Sequence, residues 1–222
     1  MTAFGAADGT AAADGTAAAD PTSRRAPGAR HARLARPIGI VTGLVAVVVV
    51  RWAAWRSGAL DPILVGALFG AGLLAVGVGS GWRPRRATSL RSATRVLALG
   101  LVGGLVLVAT ALVGQHPSWS ATLAGGFPLG PWVAATVLVA SAEEIVLRGA
   151  LFDALDRPFG LVVALLATSV VFALIHVPVY GLRAVPLDLG VGLVLGGLRV
   201  VSGGVAAPAT AHAIADLAVL WL

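Results

Sequence analysis

The sequence lacks cysteine and lysine, and acidic side chains are few among its 222 residues. Without cysteine, disulfide bonds and thiolate metal sites are excluded, and the redox compartment cannot be inferred from thiol chemistry. All sixteen basic residues are arginine. A GC-rich genome explains this choice as well as selection for guanidinium chemistry does.

Charge of either sign is also scarce. Only 12% of the residues are charged, 58% are hydrophobic, and the mean hydropathy is +0.92. This composition excludes a soluble domain with an ordinary polar surface. Several apolar runs approach the roughly 20 residues that cross about 30 Å of hydrocarbon, and they show no two-residue alternation. We therefore predict an all-α integral membrane protein, a polytopic bundle of about seven transmembrane helices in a lipid bilayer.

The chain divides into two regions of different composition. Residues 1–36 repeat the unit ADGTAA, end in a cluster of arginines and lack the apolar content that ordering requires, so we predict a disordered N-terminal tail. Residues 37–222 form the predicted transmembrane helical domain. The predicted spans are 37–55, 60–82, 96–113, 131–150, 160–177, 186–200 and 204–222.

Arginines at the ends of these spans predict the orientation of the protein. With the N-terminus in the cytoplasm, thirteen of the sixteen arginines fall inside, and only Arg51, Arg56 and Arg183 fall outside. This positive-inside bias predicts a multi-pass protein of the cell membrane with its C-terminus outside. Since the arginines follow the span ends, we interpret the pI of 11.5 as a topology signal, with nucleic-acid binding as the weaker alternative.

Ionisable side chains inside the predicted spans are the main functional signal. Those that indicate a site are Glu143, Glu144, Arg148, His176, His212 and Asp216, and the two glutamates are the only ones in the chain. Each such group costs about 2.5 to 3.5 kcal/mol at the centre of a bilayer unless it is paired or faces water. We therefore expect these side chains to converge.

Helical spacing separates the two glutamates. Glu144 and Arg148 are four residues apart and can form an ion pair, whereas Glu143 projects about 100° away and has no local partner. Glu143 is thus a candidate general base, particularly if an imidazole from another helix faces it. The same four-residue spacing relates His212 to Asp216, and Phe172 to His176, where the ring supports the imidazole.

Structural interpretations remain open for each of these groups. Glu144 and Arg148 are as well explained by a structural intramembrane ion pair, and His176 alone by an interfacial histidine that reaches towards water. A hydrogen-bonded pair between helices would account for His212 and Asp216. A helical rise of 1.5 Å per residue from the predicted cytoplasmic ends also gives different depths, about 24 Å for His176 against about 12 Å for His212.

Three motifs in order, EEIVLR at 143–148, FALIH at 172–176 and HAIAD at 212–216, resemble those of the CPBP family of CAAX proteases and bacteriocin-processing enzymes, also called Abi. The resemblance covers residues 131–222. It implies a glutamate-dependent intramembrane endopeptidase in which Glu143 and His176 activate a water. It further implies that His212 and Asp216 stabilise the oxyanion and that Glu144 with Arg148 supports the site. The family more often has asparagine, which is always a donor, where this chain has Asp216; an aspartate there must be protonated or act through His212 to stabilise the oxyanion.

Cofactor and substrate follow less directly from the resemblance. Family members are commonly labelled metalloproteases, and Glu143, His176 and His212 could supply three ligands to zinc. The sequence has no HExxH motif, and we favour direct activation of water without a tightly bound metal. The expected substrate is a peptide or a membrane-protein tail, because processing of prenylated C-termini belongs to eukaryotic members and this composition is typical of bacteria.

Two other classes of function are consistent with the same residues. One is a non-catalytic membrane protein of the same fold, such as an immunity or scaffold protein. The other is a proton-coupled transporter that uses the buried acids and imidazoles as a relay, which ranks lowest because no clear inverted repeat is present.

Overall fold

The computed structural model describes residues 27–84, 89–113 and 128–218, and all regular elements in these ranges are helical. The α-helices are α1 Pro27–Ser57, α2 Pro62–Gly79, α3 Leu90–Val113, α4 Leu129–Glu144, α5 Phe152–Phe159, α6 Leu161–Tyr180, α7 Val185–Ser202 and α8 Ala206–Ala218. A π-helical segment, Ile145–Leu151, joins α4 to α5 without a break, and a 3₁₀ turn, Leu182–Ala184, precedes α7. The predicted all-α fold class is confirmed.

Local sequence explains where several helices begin and end. The Asp61 carboxylate accepts hydrogen bonds from the backbone N–H groups of Ile63 and Leu64, at 2.8 and 3.2 Å, and thereby caps α2. Gly160 and Gly203 have φ values of +86° and +71°, a region that side chains with a Cβ rarely adopt. These glycines end α5 and α7 and allow the chain to change direction within one to three residues.

Within the described ranges, seven continuous helical segments occupy the positions of the seven predicted spans, because α4, the π segment and α5 form one run. Among the residues that the structure describes, five segments are long and apolar enough to cross a membrane; they contain α1, α2, α3, α6 and α7. Their outward side chains, such as Leu105 at 65% and Val162 at 66%, are exposed in the isolated bundle, as lipid-facing residues are. The protein is a multi-pass membrane protein.

The two remaining segments carry the ionisable side chains of the predicted site. Within the described residues, α4 has 16 residues and α8 has 13, so neither is among the five long apolar helices. Both lie against other helices, with α4 between α2 and α8, and α8 against α3. The polar helices are thus surrounded by apolar ones.

Two boundaries differ from the sequence prediction. Helix α1 begins at Pro27, inside the predicted tail, because alanine and arginine in residues 27–36 favour a helix even where hydropathy is low. The predicted disorder of residues 1–26 lies outside the described residues. The fourth segment continues to Phe159, nine residues beyond the predicted end at 150, since polar residues end an apolar run without ending its backbone hydrogen bonds.

Glycines permit the closest contacts between helices. A Cβ on Gly104 of α3 would lie 2.8 Å from the Cβ of Ile214 on α8, and a Cβ on Gly192 of α7 would lie 3.0 Å from the Cα of Ser169 on α6. Small residues at such positions let two backbones approach. Gly192 therefore packs closely against α6, whereas Gly197 on the same helix faces open space.

Candidate active site

The predicted ionisable residues do converge, from three helices and the π segment. Glu143 and Glu144 end α4, Arg148 lies in the π segment, His176 is near the end of α6, and His212 and Asp216 lie on α8. Glu143, Glu144, Arg148 and His212 are buried, each with at most 4% of its surface exposed. The Asp216 side chain is 40% exposed and marks the open edge of the cluster.

Glu143 faces both imidazoles. Its Oε2 lies 3.9 Å from Nε2 of His176 and 3.9 Å from Nε2 of His212. These distances are too long for direct hydrogen bonds, but one water can contact both Glu143 and a facing ring nitrogen. The carboxylate that lacked a local partner in the sequence is therefore the one at the centre of the cluster.

The orientation of His176 is fixed by its own helix. Its Nδ1 lies 2.8 Å from the backbone carbonyl oxygen of Phe172. Because a carbonyl oxygen can only accept, Nδ1 must carry a proton, and in the neutral ring Nε2 is the acceptor that faces Glu143. The four-residue spacing thus selects the tautomer as well as supplying the ring contact that we predicted.

Glu144 contacts two side chains, and only one of these contacts was predicted from the sequence. Its Oε1 accepts a hydrogen bond from Nη1 of Arg148 at 2.7 Å, which is the predicted ion pair. The same oxygen lies 3.1 Å from Nδ1 of His212, a contact between residues 68 apart in sequence that helical spacing cannot reveal. Nη2 of Arg148 donates to the carbonyl oxygen of Gly192 at 3.0 Å, so the glycine contact also anchors the guanidinium.

Asp216 approaches the opposite nitrogen of the same ring. Its Oδ2 lies 3.6 Å from Nε2 of His212, at the four-residue spacing predicted for α8. With Nδ1 donating to Glu144, His212 has only Nε2 left to face Glu143 and Asp216. In the protonated state this ring would be a donor surrounded by three carboxylates that balance its charge.

Aromatic rings form a column along α6 next to the cluster. Phe172 contacts the His176 ring at a centroid distance of 4.5 Å and the His212 ring at 5.4 Å, and the guanidinium of Arg148 lies 4.7 Å from its centroid. Tyr180, which the sequence analysis did not include, stacks on His176 at 5.8 Å with an angle of 8° between the planes. Its position four residues after His176 was the available signal.

A second set of polar side chains, around Asp153, supports the π segment. The sequence did not predict this set either. Arg199 of α7 donates from Nε to the backbone oxygen of Arg148 and from Nη2 to Oδ1 of Asp153, both at 2.8 Å. Trp82 donates from its indole nitrogen to Oδ2 of Asp153 at 3.1 Å. In the sequence, Asp153 and Arg199 lie at the ends of apolar runs. Charged residues at such positions usually indicate only the topology of a membrane protein.

The helix boundaries explain why the depths calculated from the sequence disagreed. Because the fourth segment continues to Phe159, Glu143 lies roughly 24 Å along the helix from that end, and His176 lies roughly 22 Å from the start of α6 at Leu161. Helix α7 ends near the level of the π segment, as the Arg199 contacts require, so α8 starts deeper than the end of α5. The three motifs can therefore meet at one depth.

The side chains as they stand do not fit a zinc site. Within the described ranges, no group of three histidine, cysteine, aspartate or glutamate residues is arranged to hold a metal ion. Tetrahedral zinc with ligand distances near 2.1 Å keeps ligand atoms about 3.4 Å apart, shorter than the 3.9 Å between Glu143 and either histidine.

The fold and the cluster together define a multi-pass membrane protein with a buried carboxylate–imidazole site contributed by three helices. The family model of the type II CAAX prenyl endopeptidase Rce1-like proteins matches residues 124–218, which include α4 to α8 and every residue of the cluster. Residues 124–218 therefore form a domain of the CPBP/CAAX intramembrane protease family. No curated protein and no solved structure matches the chain.

Proposed function

We propose that this protein is an intramembrane endopeptidase that hydrolyses a peptide bond with a water activated by Glu143 and His176. The observation that carries the proposal is the pair of 3.9 Å distances from Glu143 to the two imidazoles, in a buried cluster within the domain of a protease family. A general base must lie within hydrogen-bond reach of the proton that it removes, directly or through one water.

Two hydrogen-bond acceptors around one water determine the orientation in which that water attacks the peptide bond. A water that donates one hydrogen to Oε2 of Glu143 and the other to Nε2 of neutral His176 turns an oxygen lone pair away from both. That lone pair attacks the carbonyl carbon while Glu143 takes the proton, which then passes to the leaving amine nitrogen as the C–N bond breaks. The tautomer that Phe172 selects is required, since a neutral ring with Nε2–H could not accept from the water.

His212 is the proposed stabiliser of the tetrahedral oxyanion. Because Glu144 occupies its Nδ1, the ring can donate to an oxyanion only from Nε2 and only when it is protonated. Asp216 is 3.6 Å from that nitrogen and holds the ring in place in this scheme. The proposed role of Asp216 is therefore to orient His212, while direct donation to the oxyanion requires its protonated form.

The proposed substrate is a peptide or a membrane-protein tail that reaches the cluster from its open edge at Asp216. The family description names CAAX prenyl endopeptidases, so a prenylated CAAX peptide and its unprenylated counterpart are the first probes. In parallel, comparing the new N-termini in membranes that contain wild-type protein or the Glu143→Gln variant would identify natural substrates.

The decisive test is Glu143→Gln in purified, reconstituted protein. The amide cannot accept the proton, and we expect cleavage to fall at least a hundredfold, the lower end of what general-base catalysis contributes. Asp156→Asn removes one carboxylate outside the cluster and should leave cleavage unchanged. Cleavage of a confirmed substrate at the wild-type rate by Glu143→Gln would refute the mechanism, and a scaffold or immunity role would then be preferred.

A further inference from the structure

A polar cavity, separate from the Glu143 cluster, lies at the end of the bundle. It is near the start of α1, the end of α2 and the helix α5. It has a volume of about 490 Å³ and is lined by Arg36, Ser80, Gly81, Trp82, Arg83, Asp153 and Arg157. Of the lining residues, only Asp153 and Arg157 belong to the range that matches the protease family; the others come from α1 and the loop after α2. The cavity therefore needs an explanation beyond the proposed proteolysis.

The charges around this cavity are unbalanced. Both carboxylate oxygens of Asp153 already accept hydrogen bonds, from Arg199 and from the Trp82 indole. The Arg83 guanidinium donates to a backbone oxygen, which leaves its charge uncompensated. Arg36 and Arg157 form no hydrogen bond or ion pair with other described residues. Among the described lining residues, three guanidinium groups thus accompany a single acid, Asp153, which is held by other donors.

The position of the cavity corresponds to the surface of the bilayer. The apolar span of α1 starts at Leu34, two residues before Arg36, and the span of α2 ends at Gly79, just before Ser80. Indole rings such as Trp82 favour this level of a membrane. Basic pockets between transmembrane helices at this level bind the phosphate-containing head groups of anionic lipids.

We propose that this cavity, the Arg36–Arg83–Arg157 pocket, binds a phosphate group, that of an anionic phospholipid. Guanidinium groups match phosphate oxygens with paired N–H donors, and three of them can surround one head group from α1, the loop after α2 and α5. The bound head group would connect the N-terminal helices to the protease-like domain without requiring any catalytic residue.

The test compares lipid binding by the full chain in detergent, measured by native mass spectrometry with short-chain phosphatidylglycerol, short-chain phosphatidylcholine and inorganic phosphate. We expect a preference for phosphatidylglycerol over phosphatidylcholine. Replacing Arg36 and Arg157 with glutamine should weaken phosphatidylglycerol binding about fivefold per arginine, which corresponds to about 1 kcal/mol each. The matched control removes two exposed arginines elsewhere, Arg56→Gln with Arg183→Gln, and should retain the preference.

Competition with inorganic phosphate distinguishes a lipid head group from a soluble phosphate compound as the ligand of the pocket. Displacement of the lipid by inorganic phosphate at comparable concentration would support a site for soluble phosphate compounds, whereas resistance to phosphate would support a lipid head group. Equal phosphatidylglycerol binding by wild type and the Arg36→Gln/Arg157→Gln variant would overturn the proposal, as would the same loss in the control. Cleavage by the variant is expected to be unchanged, so this result is independent of the Glu143 test.

Discussion

At the scale of single residues, the two adjacent glutamates have different partners and therefore different chemistry. Glu144 is held by Arg148 and His212, while Glu143 faces the nitrogen atoms of two imidazoles across a gap. Helical spacing was enough to predict the ion pair and the unpartnered carboxylate. It could not predict that Glu144 also fixes His212, because that contact depends on how α4 and α8 pack.

Substituting Arg148 should show how much its buried ion pair with Glu144 contributes to the unfolding free energy. Arg148→Met leaves the fully buried Glu144 without its cation, and breaking a buried pair in this way costs about 3 to 5 kcal/mol. We expect a large loss of unfolding free energy in mixed-micelle denaturation. The double variant Glu144→Gln/Arg148→Met removes both charges and should recover at least half of that loss; no recovery would mean that the ion pair is not what stabilises this region.

Substitutions at Tyr180 test whether ring stacking positions His176. Tyr180→Ala removes the ring that stacks on the imidazole, whereas Tyr180→Phe keeps it and removes only the hydroxyl group. We expect Tyr180→Ala to lower kcat about tenfold with little change in KM, and Tyr180→Phe to stay within twofold of wild type. Equal losses in both variants would instead assign a role to the hydroxyl group.

At the scale of helices, the sequence predicted which segments exist better than where they end. In the part of the chain that the structure describes, hydropathy identified each of the seven helical segments, including the glycine-rich α7, because apolar length is a direct requirement of the bilayer. It stopped the fourth segment at 150, where polar residues begin, although the helix continues through Asp153. The π segment had no signal in the periodicity, because its contacts come from elsewhere in the chain: Arg199 of α7 donates to the Arg148 carbonyl oxygen, and the Trp82 ring lies against Gly149.

The contact between α6 and α7 offers a matched pair of glycine substitutions. A Cβ at Gly192 would press on the Ser169 backbone, whereas Gly197, on the same helix, has nothing within 4 Å. We expect Gly192→Ala to destabilise the protein by about 1 to 3 kcal/mol and to reduce cleavage, since the Gly192 carbonyl accepts from Arg148. Gly197→Ala should be neutral or stabilising by up to about 1 kcal/mol, because alanine favours the helix. A similar effect of both substitutions on unfolding free energy would contradict close packing at Gly192.

At the scale of the whole molecule, four of the described arginines lie at two different ends of the bundle. Arg36, Arg83 and Arg157 line one cavity, as expected for residues that the positive-inside pattern assigns to the same side. Arg51 lies instead in a groove with Tyr180, near the other ends of α1 and α6. This separation agrees with the predicted alternation of spans and leaves the absolute orientation in the membrane as a prediction.

The lack of cysteine makes that orientation directly testable, because any introduced thiol is the only one in the chain. Ser57 ends α1 and Ser89 precedes α3, so the hairpin of α1 and α2 separates them by one crossing of the membrane. With the N-terminus in the cytoplasm, a membrane-impermeant maleimide applied to intact cells should label Ser57→Cys and should reach Ser89→Cys only after permeabilisation. The opposite pattern would reverse the orientation and place the Arg36–Arg83–Arg157 pocket outside. Labelling of both variants in intact cells would show that α2 does not cross, which would remove the interfacial position on which the lipid site depends.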